Sequence, residues 1–437
     1  MPRNRIGTLE RALCVLSSTP DPDRERVARR KISEANLIHE VNKSAAQVFF
    51  ERALRALPDP RRPQGLRYPL LTVVVTALMA MISGCDDAEA MEDWGRENEY
   101  WLKDLLEMPH GVPTQDVYLY VFGLLDPKEF GNVVMAWATM IVTHLKGRRH
   151  VSIDGKTSRR SFDTSKDRVA IHTVSAWCRE AGIVLGQVKT REKSNEITAI
   201  PELLKKLDLK NTTVTIDAMG CQTDIARLIV ERGGAYLLAV KENQAGLYHD
   251  IKTAFSYADT CKNCLATENG NHLTPPKTVT YLDLSKSHGR LEQRIVEVSH
   301  EISDWLPKQQ ERWPGLSFMA RVTRERTILS SGKTSLEISY YIGSDSVATV
   351  DQVADSIRGH WSIENSLHWV LDIAFREDEA RHRAGNTAAN LTILRQFSLN
   401  LIKCDKTRRL GVANTRKKMG WNPNHLIRLM TDTEVLS

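Results

Sequence analysis

The chain has 437 residues, which at roughly 150 residues per domain predicts two or three domains. Hydrophobic residues make up 41% and charged residues 26%, which is ordinary for a globular protein and excludes wholesale disorder. The net charge of +6 is too small to indicate a nucleic-acid partner by itself. The cysteine count of seven is odd, which argues against a disulfide framework and suits a reducing compartment.

Charge is segregated along the chain. Residues 403–418 contain seven basic residues and one acidic residue, an excess equal to the net charge of the whole chain. Residues 146–168 contain eight basic and three acidic residues, whereas residues 86–107 are acidic. This distribution favours a nucleic-acid partner more than the small total does.

The sequence shows no sign of export or of a membrane span. Its first residues lack the apolar stretch of a secretory signal. The most apolar run, residues 69–84, is shorter than the roughly 20 residues that cross a bilayer. We therefore expect a soluble, cytoplasmic protein without a membrane partner. The pair Cys261 and Cys264 is only weak evidence for zinc, because no second pair accompanies it.

The N-terminal third is predicted to be helical. Residues 1–44 form a polar, Arg-rich extension, and residues 45–145 form a helical domain interrupted by prolines and glycines. Thr114 is a plausible N-cap for a helix that extends to Leu125. This helix either reads a DNA groove or packs through Val117, Val121 and Leu124; the sequence leaves both open.

The pattern changes to α/β at residue 146. Three strand-like runs are followed by helix, strand, helix and strand, which predicts the first part of an α/β core over residues 146–241. Residues 242–345 contain four β-like pieces and predict a β-rich insertion. Helices return over residues 346–402, where the core ends, and a basic segment occupies residues 403–437.

Two predicted strands end in an aspartate, in Ile153-Asp154-Gly155 and Ile216-Asp217-Ala218. A carboxylate at the end of an apolar strand is expensive to bury unless a cation or a hydrogen-bond donor satisfies it. One such aspartate is more often a turn or helix cap. Two in one α/β unit favour a site, because neighbouring parallel strands would bring their ends together.

A third carboxylate, Glu364, follows the insertion. The spacing of apolar residues in this segment predicts a helix with a buried stripe, and Glu364 is expected to lie on that stripe. The stripe consists of Val350, Val353, Ala354, Ile357, Trp361, Leu367 and Leu371. The structural alternative is an ion pair with an arginine such as Arg358. The functional interpretation is a three-carboxylate site for Mg²⁺ or Mn²⁺, with two ions in phosphoryl transfer.

These residues lie in segments that resemble a known family. The chain is similar to DDE transposases of the ISAs-type insertion-sequence group, which have a ribonuclease-H-like catalytic core, and the similarity extends from about residue 45 to 430. The segments that carry it are FFERALRALPDPRRPQGLRYPLLTVV, GVPTQDVYLYVFGLLDP, SIDGKTSRRS, TIDAMGCQTDIARLIVERGGAYLLAVKENQ, HGRLEQR and RGHWSIENSLHWVLDIAFREDEARHR.

The resemblance implies a mixed sheet flanked by helices, with the insertion before the last catalytic helix. It implies that Asp154, Asp217 and Glu364 are the catalytic, metal-binding triad, spaced by 63 and 147 residues. The partners would be double-stranded DNA, both the terminal inverted repeats and the target, in a homodimer or larger synaptic complex at the nucleoid. The alternatives are a Mg²⁺-dependent nuclease without strand transfer and a non-catalytic DNA-binding protein.

The sequence departs from this family around Glu364. Better-studied relatives have a tyrosine and an arginine before the glutamate and a lysine after it. Here these positions are Ile357, His360 and Leu371, so the functions of those side chains are not carried over. For His360 and His368 a hydrogen-bonded structural role is favoured over metal binding.

Polar residues that flank the triad are candidate DNA ligands, since phosphate contacts position a duplex and base contacts specify its sequence. The alternative for any one of them is a solvated surface position. The cluster at residues 156–160 is favoured most. The candidates are Lys156, Arg159, Arg160, Lys241, Asn243, His288, Arg290, Arg294, Arg358, His360, Trp361, Asn365 and Arg383.

Overall fold

The computed structural model describes residues 52–158, 172–190, 196–263, 274–382 and 384–431. Arg159, Arg160, Arg383 and Cys264 lie outside the described residues, as does the predicted extension 1–44. The described strands form one mixed sheet of nine strands with helices packed against it. This is the mixed α/β architecture that the sequence predicts.

Helices precede the sheet, as predicted. Asp126 caps the last of them by accepting a hydrogen bond from the backbone N–H of Lys128, and Pro127 occupies its first turn. Thr114 stands at the N-cap position of α4, although its side chain makes no capping hydrogen bond. The helices are α1 (Leu70–Ile82), α2 (Ala88–Glu97), α3 (Glu99–Leu105), α4 (Gln115–Leu124) and α5 (Pro127–Thr143).

The core sheet comes next. It comprises β1 (Arg149–Thr157), β2 (His172–Cys178), β3 (Ile183–Thr190), β4 (Thr212–Ile216) and β5 (Ala235–Val240), with α6 (Glu196–Lys206) and α7 (Thr223–Glu231) between strands. Strand order is β3-β2-β1-β4-β5; β1 pairs antiparallel with β2 and parallel with β4, and β4 pairs parallel with β5. This order and these directions are ribonuclease-H-like, so the predicted fold class is confirmed.

The insertion extends the core sheet. Its strands β6 (Val279–Ser287), β7 (Arg290–Ser299), β8 (Phe318–Ile328) and β9 (Thr334–Gly343) form an antiparallel meander, with α9 (Ile302–Trp305) and α10 (Pro307–Arg312) between β7 and β8. β9 also pairs antiparallel with β5, which joins the meander to the core. The sequence analysis missed helix α8 (Ala245–Asn263), whose buried Leu247, Ile251, Phe255 and Ala258 follow helical spacing.

The last part of the chain is helical. It contains α11 (Val350–His360), a π-helical turn (Glu364–His368), α12 (Trp369–Ala374), α13 (Thr387–Cys404), α14 (Val412–Trp421) and α15 (Pro423–Thr431). Helix α13 is buried on all sides over residues 389–402, as expected of a helix inside a core. No helix in the described part of the chain is long and apolar enough to cross a membrane.

The N-terminal helices share one hydrophobic core with the sheet and α13. Trp137 of α5 packs edge-to-face on Phe397 of α13, with ring centroids 5.0 Å apart. Helix α4 packs against α13, and its Tyr118, Val121 and Phe122 are buried. The structure therefore favours the packing interpretation of α4, with a buried set that differs from the predicted one because Leu124 is 41% exposed.

Candidate active site

Asp154 and Asp217 lie side by side on two parallel strands. β1 and β4 pair in register with Ile153 opposite Ile216, so each aspartate follows a member of that pair. Because the strands run in the same direction, both residues stand at the same edge of the sheet.

The carboxyl group of Asp154 is surrounded by negative charge. Its side chain is 22% exposed, and its Oδ1 accepts a hydrogen bond from the backbone N–H of Gly155 at 2.9 Å. Burial raises the pKa of Asp154, and the charges of Asp217, Glu364 and Glu196 raise it further, to about 7. The three predicted carboxylates are therefore close enough for their charges to interact.

Asp217 caps the short turn that follows β4. Its Oδ1 accepts hydrogen bonds from the backbone N–H groups of Met219 and Gly220, at 3.1 and 3.3 Å. Asn243 donates to the carbonyl oxygen of Ala218 at 2.6 Å and ties the loop after β5 to this turn. Asp217 is therefore a cap of this short turn, which is the structural alternative to a functional site. The two hydrogen bonds from the turn also hold its exposed carboxylate in place.

Glu364 does not lie on the buried stripe, contrary to the sequence prediction. The residue is exposed and begins the π-helical turn, and Trp361, assigned to the stripe, is 51% exposed. Ile363, which was not predicted to lie on the stripe, is buried instead of Trp361 and Glu364. A π turn holds more residues than an α turn, so the spacing of three to four residues does not continue through it.

The proposed ion pair between Glu364 and Arg358 is not formed. Arg358 Nη1 lies 2.6 Å from Asp283 Oδ2 instead, and this pair joins α11 to β6. Arg358 was predicted as a DNA ligand, but its charge is already matched by a carboxylate of the insertion.

The three carboxylates suit a divalent cation by chemistry. Carboxylate oxygens are the ligands that Mg²⁺ and Mn²⁺ prefer, and a bound cation would offset both the burial and the neighbouring negative charge that raise the pKa of Asp154. Within the described ranges, however, no three His, Cys, Asp or Glu side chains stand close enough together to hold a metal ion. The carboxylates are therefore neighbours that stand further apart than the ligands of one ion.

The histidines beside Glu364 are partly buried and contact residues of the core sheet. His360 Nδ1 lies 3.0 Å from Thr215 Oγ1, and His368 Nδ1 lies 3.5 Å from Asp154 Oδ2. Burial lowers the pKa of His360, and it lowers the pKa of His368 to about 4. His360 therefore has the predicted structural alternative, a hydrogen bond inside the protein, and a DNA contact of its ring stays a prediction.

Lys156 is engaged by acidic side chains and not exposed for a phosphate. Its Nζ lies 2.5 Å from Asp372 Oδ1, 2.6 Å from Glu377 Oε2 and 3.8 Å from Asp378 Oδ1. Its side chain is only 12% exposed. This corrects the expectation for Lys156, which binds carboxylates. The other two members of the cluster, Arg159 and Arg160, lie outside the described residues, and their DNA contacts stay a prediction.

The remaining predicted DNA ligands are spread over two regions. Near Glu364, Trp361 and Asn365 are exposed, and the Asn365 side chain donates to the carbonyl oxygen of Trp361 at 3.2 Å. At the far end of the insertion, His288 and Arg290 are exposed at the β6–β7 turn. Arg294 pairs with Glu292 at 2.6 Å, and Lys241 is exposed after β5.

The sequence analysis missed several residues that surround the carboxylates. His172 Nε2 lies 2.5 Å from Glu196 Oε1, and both side chains lie almost entirely inside the protein beside Gly155. Thr215 was also missed, although it stands two positions before Asp217 in the sequence. Strand alternation places residues two apart on one face, so it could have indicated Thr215 from the position of Asp217. Nothing in the sequence indicated that Thr215 contacts His360 or that His172 contacts Glu196.

Gly359→Ala is expected to destabilise the protein by about 1–2 kcal/mol. A Cβ at this position of α11 would lie 2.7 Å from Arg179 Nη1 and from two ring atoms of buried His150. Overpacking of this kind costs about 1–3 kcal/mol, which outweighs the helix-propensity gain of about 0.5–1 kcal/mol. Urea unfolding measures the difference.

Gly246→Ala serves as the matched control, because Gly246 also lies in a helix, α8, and the nearest atom of the surrounding structure to a Cβ there is Gln309 Nε2, at an ordinary contact distance of 3.9 Å. We expect that variant to be as stable as the unsubstituted protein or more stable by up to about 1 kcal/mol, the gain in helix propensity. Equal stability of the Gly359→Ala and Gly246→Ala variants would show that α11 does not approach β1 as closely as described.

Comparison with known proteins identifies the family of this chain. Residues 143–401 match the family described as the transposase DDE domain, and residues 52–138 match the region associated with it. The chain belongs to the DDE transposase family. The DDE-domain match alone covers more than half of the chain and contains all three carboxylates.

Curated relatives of this transposase cover most of its length. YncI of Escherichia coli O157:H7 is 38% identical over 371 residues, which is 84% of this chain and 91% of YncI. YhhI of Escherichia coli strain K12 is 35% identical over 373 residues, 85% of this chain and 94% of YhhI. Both have the word transposase in their names.

A solved piggyBac transposase synaptic complex with hairpin DNA gives a TM-score of 0.38 at 9% sequence identity, covering 86% of this chain and 78% of that one.

Proposed function

We propose that this transposase cleaves DNA at the ends of its own mobile element and joins those ends to target DNA in a metal-dependent reaction. The observation that carries the proposal is that three carboxylates far apart in the chain are neighbours in the fold, close enough for their charges to interact. Asp154 and Asp217 stand on adjacent parallel strands, and their charge and that of Glu364 interact. Membership of the DDE family supports the same assignment.

Asp154, Asp217 and Glu364 would hold the Mg²⁺ or Mn²⁺ ions. Two bound ions would activate an attacking oxygen and stabilise the leaving oxygen at the phosphodiester bond. The carboxylates themselves form no covalent bond to DNA. Gly155 N–H holds the Asp154 carboxylate, and the backbone N–H groups of residues 219 and 220 hold that of Asp217.

The exposed polar residues around this site would position the DNA. Trp361 and Asn365 flank Glu364 on the outer side of the π turn, and Lys241 follows the strand next to β4. Arg290 and His288 lie further out on the insertion and would contact the duplex away from the cut. Because two element ends must be cut and joined together, we propose that a homodimer or larger assembly acts.

The test uses DNA that carries the sequences flanking the gene, which supply the element ends. We expect Mg²⁺-dependent cleavage at these ends, and strand transfer when a pre-cut end with a free 3′-hydroxyl is supplied. Cleavage without joined product would identify a nuclease that does not transfer strands. Salt-sensitive DNA binding with no cleavage would identify a non-catalytic DNA-binding protein, and either result would overturn the proposal.

A further inference from the structure

Side-chain contacts on both sides of Glu364 join its segment to β1 and β4, the strands that position the two aspartates. His360 lies four residues before Glu364 and contacts β4, and Asp372 lies eight residues after it and contacts β1. The contact with β4 is made to Thr215, two residues before Asp217. The contact with β1 is made to Lys156, two residues after Asp154. Glu364 itself lies between them in the π turn.

The first contact is a partly buried hydrogen bond. His360 Nδ1 lies 3.0 Å from Thr215 Oγ1, and Thr215 is 2% exposed. The same hydroxyl lies 2.9 Å from His150 Nε2 and donates to Ser152 Oγ at 3.3 Å. Because the hydroxyl serves polar groups of both β1 and α11, its removal would leave buried nitrogen atoms without a partner.

The second contact is a largely buried ion pair. Lys156 Nζ lies 2.5 Å from Asp372 Oδ1 and 2.6 Å from Glu377 Oε2, and the Glu377 side chain is 2% exposed. Several carboxylates around one ammonium group keep its side chain in place. Of these carboxylates, Asp372 belongs to α12, the helix continuous with the Glu364 turn, whereas Glu377 belongs to the short turn that follows it.

Between these two contacts the backbone is not a regular α-helix. The π turn Glu364–His368 directs the Glu364 side chain to solvent while Leu367 is buried. A π turn has poorer intrinsic stability than an α turn and persists where surrounding contacts maintain it. The direction of the Glu364 side chain therefore depends on the points at which the segment is anchored.

We propose that Thr215–His360 and Lys156–Asp372 are positioning contacts that set where Glu364 stands relative to Asp154 and Asp217. The inference rests on the proposed function of these carboxylates. None of the four residues belongs to the predicted triad, and in this proposal all four act through Glu364. Loss of either contact would let the Glu364 turn move away from the sheet and weaken metal binding.

The test compares disruptive variants with conservative ones. Thr215→Val removes the hydroxyl at nearly constant volume, and Thr215→Ser retains it; Asp372→Asn removes the charge, and Asp372→Glu retains it. We expect Thr215→Val and Asp372→Asn to raise the Mn²⁺ concentration for half-maximal cleavage by about 10–100-fold. The conservative variants are expected to restore most of the loss, and the Kd for DNA should change less than about twofold.

A second readout does not depend on activity. Hydrogen–deuterium exchange of the full chain without metal is expected to be faster over residues 361–371 in Thr215→Val and Asp372→Asn than in the unsubstituted protein. Glu202→Gln is the control, because Glu202 is 53% exposed and makes a surface pair with Lys206 at 3.7 Å. It should change neither the Mn²⁺ requirement nor the exchange over residues 361–371.

The inference is overturned if Thr215→Val and Asp372→Asn keep the original Mn²⁺ requirement, or lose activity without faster exchange over residues 361–371. Failure of the proposed function looks different. In that case the unsubstituted protein shows no metal-dependent cleavage, or Glu364→Gln cleaves normally. The exchange measurement then still reports whether the two contacts hold the turn.

Discussion

Asp154→Asn, Asp217→Asn and Glu364→Gln are each expected to abolish Mg²⁺-dependent cleavage and to leave DNA binding nearly intact. Each change keeps the shape of the side chain and removes the negative charge that would hold a cation. The loss should exceed the roughly 10–100-fold that follows when a residue merely supports a metal ligand. A gel assay of end cleavage measures it, and retained cleavage in one variant would remove that residue from the site.

The stability of the Asp154→Asn variant separates lost chemistry from lost folding. Burial and neighbouring charge raise the pKa of Asp154 in the folded protein to about 7, against about 3.9 in an unfolded chain. Without metal, ionised Asp154 therefore destabilises the folded state. The penalty grows as the pH rises from about 4 to about 7 and is constant above that.

In EDTA at pH 8, the Asp154→Asn variant is thus expected to unfold at a higher urea concentration than the unsubstituted protein. The difference should shrink as the pH falls towards 4. An inactive variant that is also less stable at pH 8 would show that Asp154 is not in the repulsive environment described.

Arg416→Met is expected to destabilise the protein by about 3 kcal/mol, the lower end of the range for breaking a buried ion pair. The Arg416 side chain is 4% exposed, and its Nη2 lies 2.6 Å from both Met81 O and Asp86 Oδ1. It also donates to the carbonyl oxygen of Ala374 and stacks over Phe375, 4.1 Å from the ring centroid.

The estimate lies at the lower end because Asp86 is 21% exposed, so water can solvate the carboxylate after the arginine is removed. Urea unfolding monitored by circular dichroism measures the change. Lys417→Met is the control, since Lys417 is an exposed neighbour, and it should shift stability by less than about 0.5 kcal/mol. Equal effects of the two substitutions would contradict the buried position of Arg416.

Arg416 shows how far charge can be interpreted from the sequence. Residues 403–418 contain an excess of basic residues, and this distribution of charge favours a nucleic-acid partner. The structure uses one of these charges to join α14 to α1 and α12 inside the protein. Likewise Lys156, in the second basic stretch, binds carboxylates of α12 and the turn that follows it. A count of charges cannot separate solvated from buried ones, because burial depends on which distant segments pack together.

The strand-borne half of the site could be predicted from local pattern. Asp154 and Asp217 each end an apolar run, and the strand–helix–strand rhythm around Asp217 is typical of parallel strands that meet at one edge. The Glu364 helix was predicted, but the orientation of its carboxylate was wrong. Hydropathy spacing assumes a regular α-helix, and a π turn that tertiary contacts maintain leaves no mark on that spacing.

The sequence by itself determined the residue types: two strand-end aspartates, a glutamate in a late helix and the alternation that makes an α/β core. Local propensity and periodicity are enough for this, since they act between near neighbours in the chain. Only the tertiary structure decided that Lys156 and His360 bind inside the protein and that Glu364 faces outward. Those outcomes depend on contacts between residues up to 221 positions apart, and no local pattern encodes such pairs.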